Sequence, residues 1–92
     1  MSQAIWKFTL EVADTHEIEM PLGSIILSTA LQHGRIQLWV MVDTQTPHKE
    51  NRQIAIVGTG HEMSSFTASG KFIGTVISGN FVWHVIDISR RT

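Results

Sequence analysis

Trp6, Phe8, Leu10 and Val12 alternate with Lys7, Thr9 and Glu11. This period of two arises when successive side chains point to opposite faces of a strand, so it predicts a β-strand over residues 6–12. Residues 16–20 repeat the pattern with Glu17 and Glu19 on the wet side, and Pro21 stops it because proline cannot donate to a continuing ladder. Asp14-Thr15 is the expected turn between these two strands. Residues 24–32 and 36–42 are rich in β-branched side chains and flank His33-Gly34, so they predict a hairpin in which glycine supplies a positive φ. Residues 52–57 give another short strand. Residues 71–77 and 81–88 form a second hairpin around Ser78-Gly79-Asn80.

The expected fold is therefore all-β, with six to seven mainly antiparallel strands in a meander, a small barrel or a two-sheet sandwich. No window shows a helical period bounded by caps, so helix is expected only as single turns within 43–51 or 61–70. Ile36, Leu38, Val40 and Val42 face one way while Trp39 and Met41 face the other, so something is expected to cover that second face. Ordering costs nearly cancel burial gains in a domain this small, and association often supplies the difference. A homo-oligomer is the expectation, built through strand edges or through the face carrying Trp39 and Met41.

Composition narrows the class. The 92 residues, 42% hydrophobic and 16% charged, suit a single β domain over 1–92. A formal net charge of -1 lacks the basic excess of a protein that grips long nucleic acid or an anionic membrane. The absence of cysteine removes disulfides, thiol catalysis and cysteine-ligated metal, and fits a cytoplasmic protein. No stretch is long and apolar enough for a membrane span, and the N-terminal residues lack a secretory pattern, so neither insertion nor export is expected.

The most distinctive local feature is Gly58-Thr59-Gly60-His61, followed by a polar run that includes Ser64 and Ser65 and ends at Lys71. Glycines at a strand end let backbone amides turn toward an anion, and hydroxyls, a histidine and a lysine complete such a site. The bland alternative is a turn followed by a solvated connection. The run matches neither the P-loop nor the dinucleotide fingerprint, since Ser65 and Met63 stand where glycine is required. His16, His33, His48, His61 and His84 have no metal-ligand spacing, so neither a metal nor a cofactor is expected. His33 and His48 read as exposed turn and loop residues. His84 shares a strand face with Val82 and Ile86, as a hydrogen-bonded histidine beside the core or as a pocket or interface residue.

No pair of carboxylates is singled out as acid and base, and the nucleophile elbow is absent, so no catalytic residue is assigned. Trp6, Trp39 and Trp83 read as core or interface side chains before they read as stacking platforms. Arg35, Arg52, Arg90 and Arg91 are candidates for phosphate contacts, with Arg90 and Arg91 at a frayed end. The candidate ligand-binding set is Gly58, Thr59, Gly60, His61, Ser64, Ser65, Lys71, Arg52 and His84.

Ile5-Trp6-Lys7-Phe8, the segment from Ile18 to Leu27, Leu38-Trp39, Val42-Asp43, Gly58-Thr59-Gly60-His61, Ile73-Gly74-Thr75 and Val82-Trp83-His84-Val85, in that order, resemble a family of small uncharacterised β-rich proteins encoded by bacteriophages and prophages. The resemblance spans nearly the whole chain and transfers no catalytic residues, because that family has no established activity. It implies an accessory protein of the infected bacterial cytoplasm. By analogy of size and context, such a protein counters host defence by sequestering a nucleotide-like signalling molecule in a homo-oligomer. The alternatives are a protein-binding inhibitor of a host defence protein, a histidine-dependent cyclic-nucleotide phosphodiesterase using His61 or His84, and a virion structural component.

Overall fold

The structure is a computed structural model that describes residues 2–89. Seven strands run in the order β1 (Gln3–Leu10), β2 (Thr15–Pro21), β3 (Ile25–Gln32), β4 (Arg35–Asp43), β5 (Lys49–Gly58), β6 (Lys71–Ser78) and β7 (Phe81–Asp87), with one helical turn, α1 (Ser65–Ala68), between β5 and β6. They form a three-stranded sheet, β1-β4-β3, and a four-stranded sheet, β2-β5-β7-β6, antiparallel throughout. The all-β expectation holds. Of the architectures open to it, the fold takes the two-sheet sandwich. Among the described residues no helix is long and apolar enough to cross a membrane.

Side-chain alternation builds the layer between the sheets. Ile36, Leu38, Val40 and Val42 of β4 meet Ile54 and Ile56 of β5, Val85 of β7 and Met20 of β2 in one buried cluster. Leu38, Val40, Ile54 and Val85 have no exposed surface at all, which is the expected reward of an apolar residue at every second position of a sheet covered on that side. The predicted partition of β4 is correct. Trp39 and Met41 lie on the outer face, half-buried, in register with Ile5, Lys7, Ile25 and Ser28 of the flanking strands.

Two turns follow their sequences closely. His33 and Gly34 both take positive φ, 54° and 73°, as a two-residue hairpin between twisted strands requires. Gly79, at φ 59°, does the same between β6 and β7. The turn expected at Asp14-Thr15 is corrected. β1 and β2 do not pair; the chain crosses there from one sheet to the other, β1 pairing with β4 and β2 with β5. Val12, expected inside the first strand, lies beyond its end and is exposed. β5 begins at Lys49, before the expected start at Arg52, because β2 pairs with it as far as Pro21 opposite Lys49. Arg90 and Arg91 lie outside the described residues.

At one side of the sandwich β3 lies against β6, and the hydrogen of Gly74 allows the approach: a Cβ there would stand 2.9 Å from the Thr29 methyl. Each of these strands carries a register shift, at Ile26/Ser28 and at Phe72/Gly74. The bulges bend the two edges around one another without a ladder joining them.

Candidate functional site

The candidate residues line two main clefts, and a smaller hollow beside Phe81 and Trp83 also draws on Gly58, Thr59 and His61. The first lies on the outer face of the four-stranded sheet. Register places Val57 beside His84 and His84 beside Thr75, while Gly58 at the end of β5 pairs with Trp83. The chain then turns back through Gly60, whose φ of 85° favours glycine, and the His61 N–H donates to the Gly58 carbonyl at 3.1 Å. This turn brings the Thr59 hydroxyl within 2.8 Å of His84 Nε2, while the Thr75 hydroxyl lies 2.9 Å from Nδ1. A neutral imidazole has one N–H and one lone pair in its ring plane, so one threonine donates and the other accepts. Both ring nitrogens are occupied and the ring orientation is fixed.

Beside that ring is a cavity of about 290 Å³. Its walls are Val57, Met63, Phe72 and Ile86, and His61 stands at its rim with Thr59 and His84. The Phe72 ring is tilted against His84 at a centroid distance of 6.3 Å. Gly58 is glycine for a local reason, since a Cβ there would lie 2.8 Å from Nδ1 of His61 and 3.3 Å from the Trp83 ring. The His61 ring therefore folds back over the turn.

The rest of the loop is anchored at Phe66 and Gly70, while residues 62–65 and 68–69 stay exposed. Ser64 caps α1, its hydroxyl accepting the Thr67 N–H at 3.1 Å. Ser65 opens the helical turn, and Phe66 and Gly70 settle beside Ile88. A Cβ on Gly70 would meet the Asp87 carbonyl and an Ile86 methyl at 2.8 Å each. The segment thus helps to cover Ala55, Ile86 and Ile88, a small second apolar cluster outside the main core. Ser64 caps the turn and Ser65 opens it, and neither lines the cavity that His61 and His84 share.

The second cleft, about 600 Å³, opens between the sheets where Ser24–Leu27 faces Gly70–Ile73. It holds the remaining two candidates, Arg52 and Lys71. Arg52 is only 6% exposed. Its Nε donates to the Ser89 hydroxyl at 3.2 Å, one terminal nitrogen to the Ser24 carbonyl at 2.8 Å, and the other to Asp87 at 2.5 Å, with Glu50 at 3.5 Å. The guanidinium is thereby committed to acceptors of its own chain and faces two carboxylates. Arg52 thus acts as a cross-brace tying the segment at Ser24, just before β3, to the four-stranded sheet, with little donor capacity left for a phosphate. Burial pulls the Asp87 carboxyl up, but the Ser89 hydroxyl and backbone N–H, joined by the Arg52 guanidinium, outweigh it and hold the carboxyl below the usual carboxylate range.

The sequence-level set therefore divides. Gly58, Thr59, Gly60, His61 and His84 converge on one cavity, Lys71 and Arg52 line another, and Ser64 and Ser65 belong to a helix cap. Phe72, Thr75 and Asp87 were missed. The register of the β6–β7 hairpin carries the signal for Thr75, which stands opposite His84, whereas Phe72 reaches the same face only through the register shift between Phe72 and Gly74, which reverses the alternation.

The comparisons add a family. Residues 1–91 match the domain of unknown function DUF7352, and the chain belongs to that family. Neither a curated protein nor a solved structure matches it.

Proposed function

We propose that this member of the DUF7352 family is a noncatalytic binding protein that seats the flat ring of a nucleotide-like small molecule in the cavity beside His84. The observation that carries this reading is the immobilised imidazole: Thr59 and Thr75 hold both nitrogens at the edge of a largely apolar recess. Small-ligand sites have this character, with apolar walls to exclude water and a few fixed polar groups to orient the guest. Phe72 supplies a face on which a heterocycle stacks. The described lining contains no Lys or Arg. The ring is therefore the part buried, and any phosphate projects past His61 into solvent. Both partners of the His84 ring are threonine hydroxyls and the described lining contains no carboxylate to poise it as an acid or base, so capture without turnover is favoured over phosphodiesterase chemistry. In the phage setting that the sequence resemblance suggests, capture would withdraw a signalling nucleotide from a host defence system.

The test incubates the pure protein with nucleobases, nucleosides and linear and cyclic nucleotides, measures depletion, then heat-denatures it and identifies what is released. Intact recovery of a depleted compound is the expected result. Phe72→Ala is expected to weaken capture roughly 5- to 150-fold, the loss of about 1–3 kcal/mol of stacking. A chemically altered product would overturn the noncatalytic reading in favour of a phosphodiesterase acting through His61. Absence of depletion across the panel would overturn small-molecule capture. It would favour a second reading, inhibition of a host protein, for which the apolar outer face of the three-stranded sheet with Ile5, Ile25 and Leu27 exposed provides a surface.

A further inference from the structure

The sandwich has four edge strands, and they are not treated alike. β3 and β6 are bulged and lie against each other. β2 ends in Pro21 and presents Glu17 and Glu19. These are the devices by which sheet proteins discourage strand addition. β1 has neither bulge nor proline. Its register with β4 runs unbroken from Gln3 opposite Asp43 to Leu10 opposite Ile36. Its one charge, Lys7, reaches back across the sheet to donate to the Gln32 side chain at 2.8 Å. Ile5 and Trp6 protrude on opposite faces of this same edge, 61% and 43% exposed.

The direction of each backbone group follows from the ladder. The Thr44 N–H donates to the Ser2 carbonyl at 3.0 Å. Because hydrogen-bonded and non-hydrogen-bonded pairs alternate, Ala4, Trp6, Phe8 and Leu10 turn their N–H and C=O groups toward β4. Gln3, Ile5, Lys7 and Thr9 turn theirs outward, away from the sheet. A row of outward donors and acceptors flanked by exposed apolar side chains is a template for another strand.

We propose that β1 pairs antiparallel with β1 of a second copy about a two-fold axis at Trp6, joining the three-stranded sheets of two protomers into one six-stranded sheet. The sequence of the strand selects both occupant and register. Opposed residues must share a face, so the axis passes through a residue position, and the two longest overlaps are centred on Trp6 and on Lys7. Centring on Lys7 sets like charges directly opposite each other, which is destabilising. Centring on Trp6 sets the two indoles opposite each other in a non-hydrogen-bonded pair, the closer kind, and places Lys7 against Ile5 of the second copy. The outward groups of Ile5 and Lys7 then satisfy one another across the axis. This interface is independent of the ligand reading, since the cavity beside His84 lies on the other sheet.

The chain contains no cysteine, so single cysteines report the register directly. The native protein is expected to show twice the 10.3 kDa chain mass in light scattering at micromolar concentration. Ile5→Pro removes an outward N–H without touching the β1–β4 ladder, and is expected to run at the monomer mass with an unchanged far-ultraviolet spectrum. Under mild oxidation Trp6→Cys is expected to cross-link across the axis, where the Cα atoms stand about 4.5 Å apart, whereas Lys7→Cys is not, its two copies being displaced beyond disulfide reach. A native protein that is monomeric at every concentration tested overturns the proposal. So does a folded Ile5→Pro variant that remains dimeric, or cross-linking of Lys7→Cys in preference to Trp6→Cys. If Ile5→Pro does not fold, the cysteine pair decides.

Discussion

Replacement of Arg52 by methionine separates a ligand role from an architectural one. The substitution keeps the aliphatic length of the side chain and deletes a guanidinium that serves the Ser24 carbonyl, Asp87 and Ser89 and stands beside Glu50. Asp87 and Glu50 remain, with side chains 10% and 18% exposed, and lose the cation that neutralised them. Removing one partner of a buried pair typically costs about 3–5 kcal/mol, because the uncompensated charge stays in a poorly hydrated place. A domain of this size has a total stability of about 5–15 kcal/mol, so the melting temperature should fall on the order of 20 °C. The assay is urea and thermal unfolding of native, Arg52→Met, Asp87→Asn and doubly substituted proteins, followed by tryptophan fluorescence and far-ultraviolet circular dichroism. The double variant should be appreciably less destabilised than the sum of the single ones, since neutralising Asp87 removes part of what Arg52→Met leaves stranded. Arg52→Lys should recover little, because an ammonium cannot reproduce the planar fork that reaches Ser89, Ser24 and Asp87 together. A loss below about 1 kcal/mol for Arg52→Met, the range of an exposed ion pair, would refute the cross-brace and return Arg52 to the pool of ligand contacts.

Further outcomes follow from the same geometry. Asp87 has its carboxyl held low in the fold, so its stabilising contribution is present above the ordinary carboxylate pKa and lost as pH falls through the folded value. Urea titrations at stepped pH should therefore show Asp87→Asn flattening the stability curve below about pH 4. Gly70→Ala drives a Cβ against the Asp87 carbonyl and should cost about 2–3 kcal/mol, whereas Gly58→Ala meets the movable His61 ring and should cost about 1 kcal/mol while shifting the His61 resonances. Equal costs in denaturant melts would contradict that distinction. Ser64→Ala should cost about 1 kcal/mol, read as faster amide exchange at Thr67 and Ala68 with little change in global melting.

The strands were largely legible because each carries its own evidence. Alternation in β1 and β4 and the glycines at 34 and 79 state their conformations locally. What could not be read is which strand pairs with which. β1 and β2 are neighbours in sequence and look like a hairpin, yet the four-residue stretch between them carries the chain to the other sheet. Pairing across a separation as large as that of Leu10 from Ile36 or Pro21 from Lys49 leaves no local trace. Arg52 shows a subtler loss. Its parity with Ile54 and Ile56 points it inward, but a charge is ordinarily assigned to solvent, and its partners Ser24, Asp87 and Ser89 are distant along the chain. The site was half legible for the same reason: the glycine turn announced itself, whereas the approach of Thr59 to His84 depends on the β5–β7 register.

The separation of β1 and β2 from their partners bears on how the molecule comes off the ribosome. When the first 32 residues have been made, three strands exist and none has a neighbour to bond with: β1 and β3 await β4, and β2 awaits β5. In the growing chain the first two-residue hairpin to emerge is the one at His33-Gly34, whose short loop closes at little entropic cost, and β1 is recruited to it from a distance. A nascent chain halted at Asp43 would own a complete three-stranded sheet whose apolar inner face had nothing to rest against, with β2 dangling beside it. Productive folding of this protein is therefore a late event, and the interval before β5 emerges is when its unfinished form most needs protection from its neighbours.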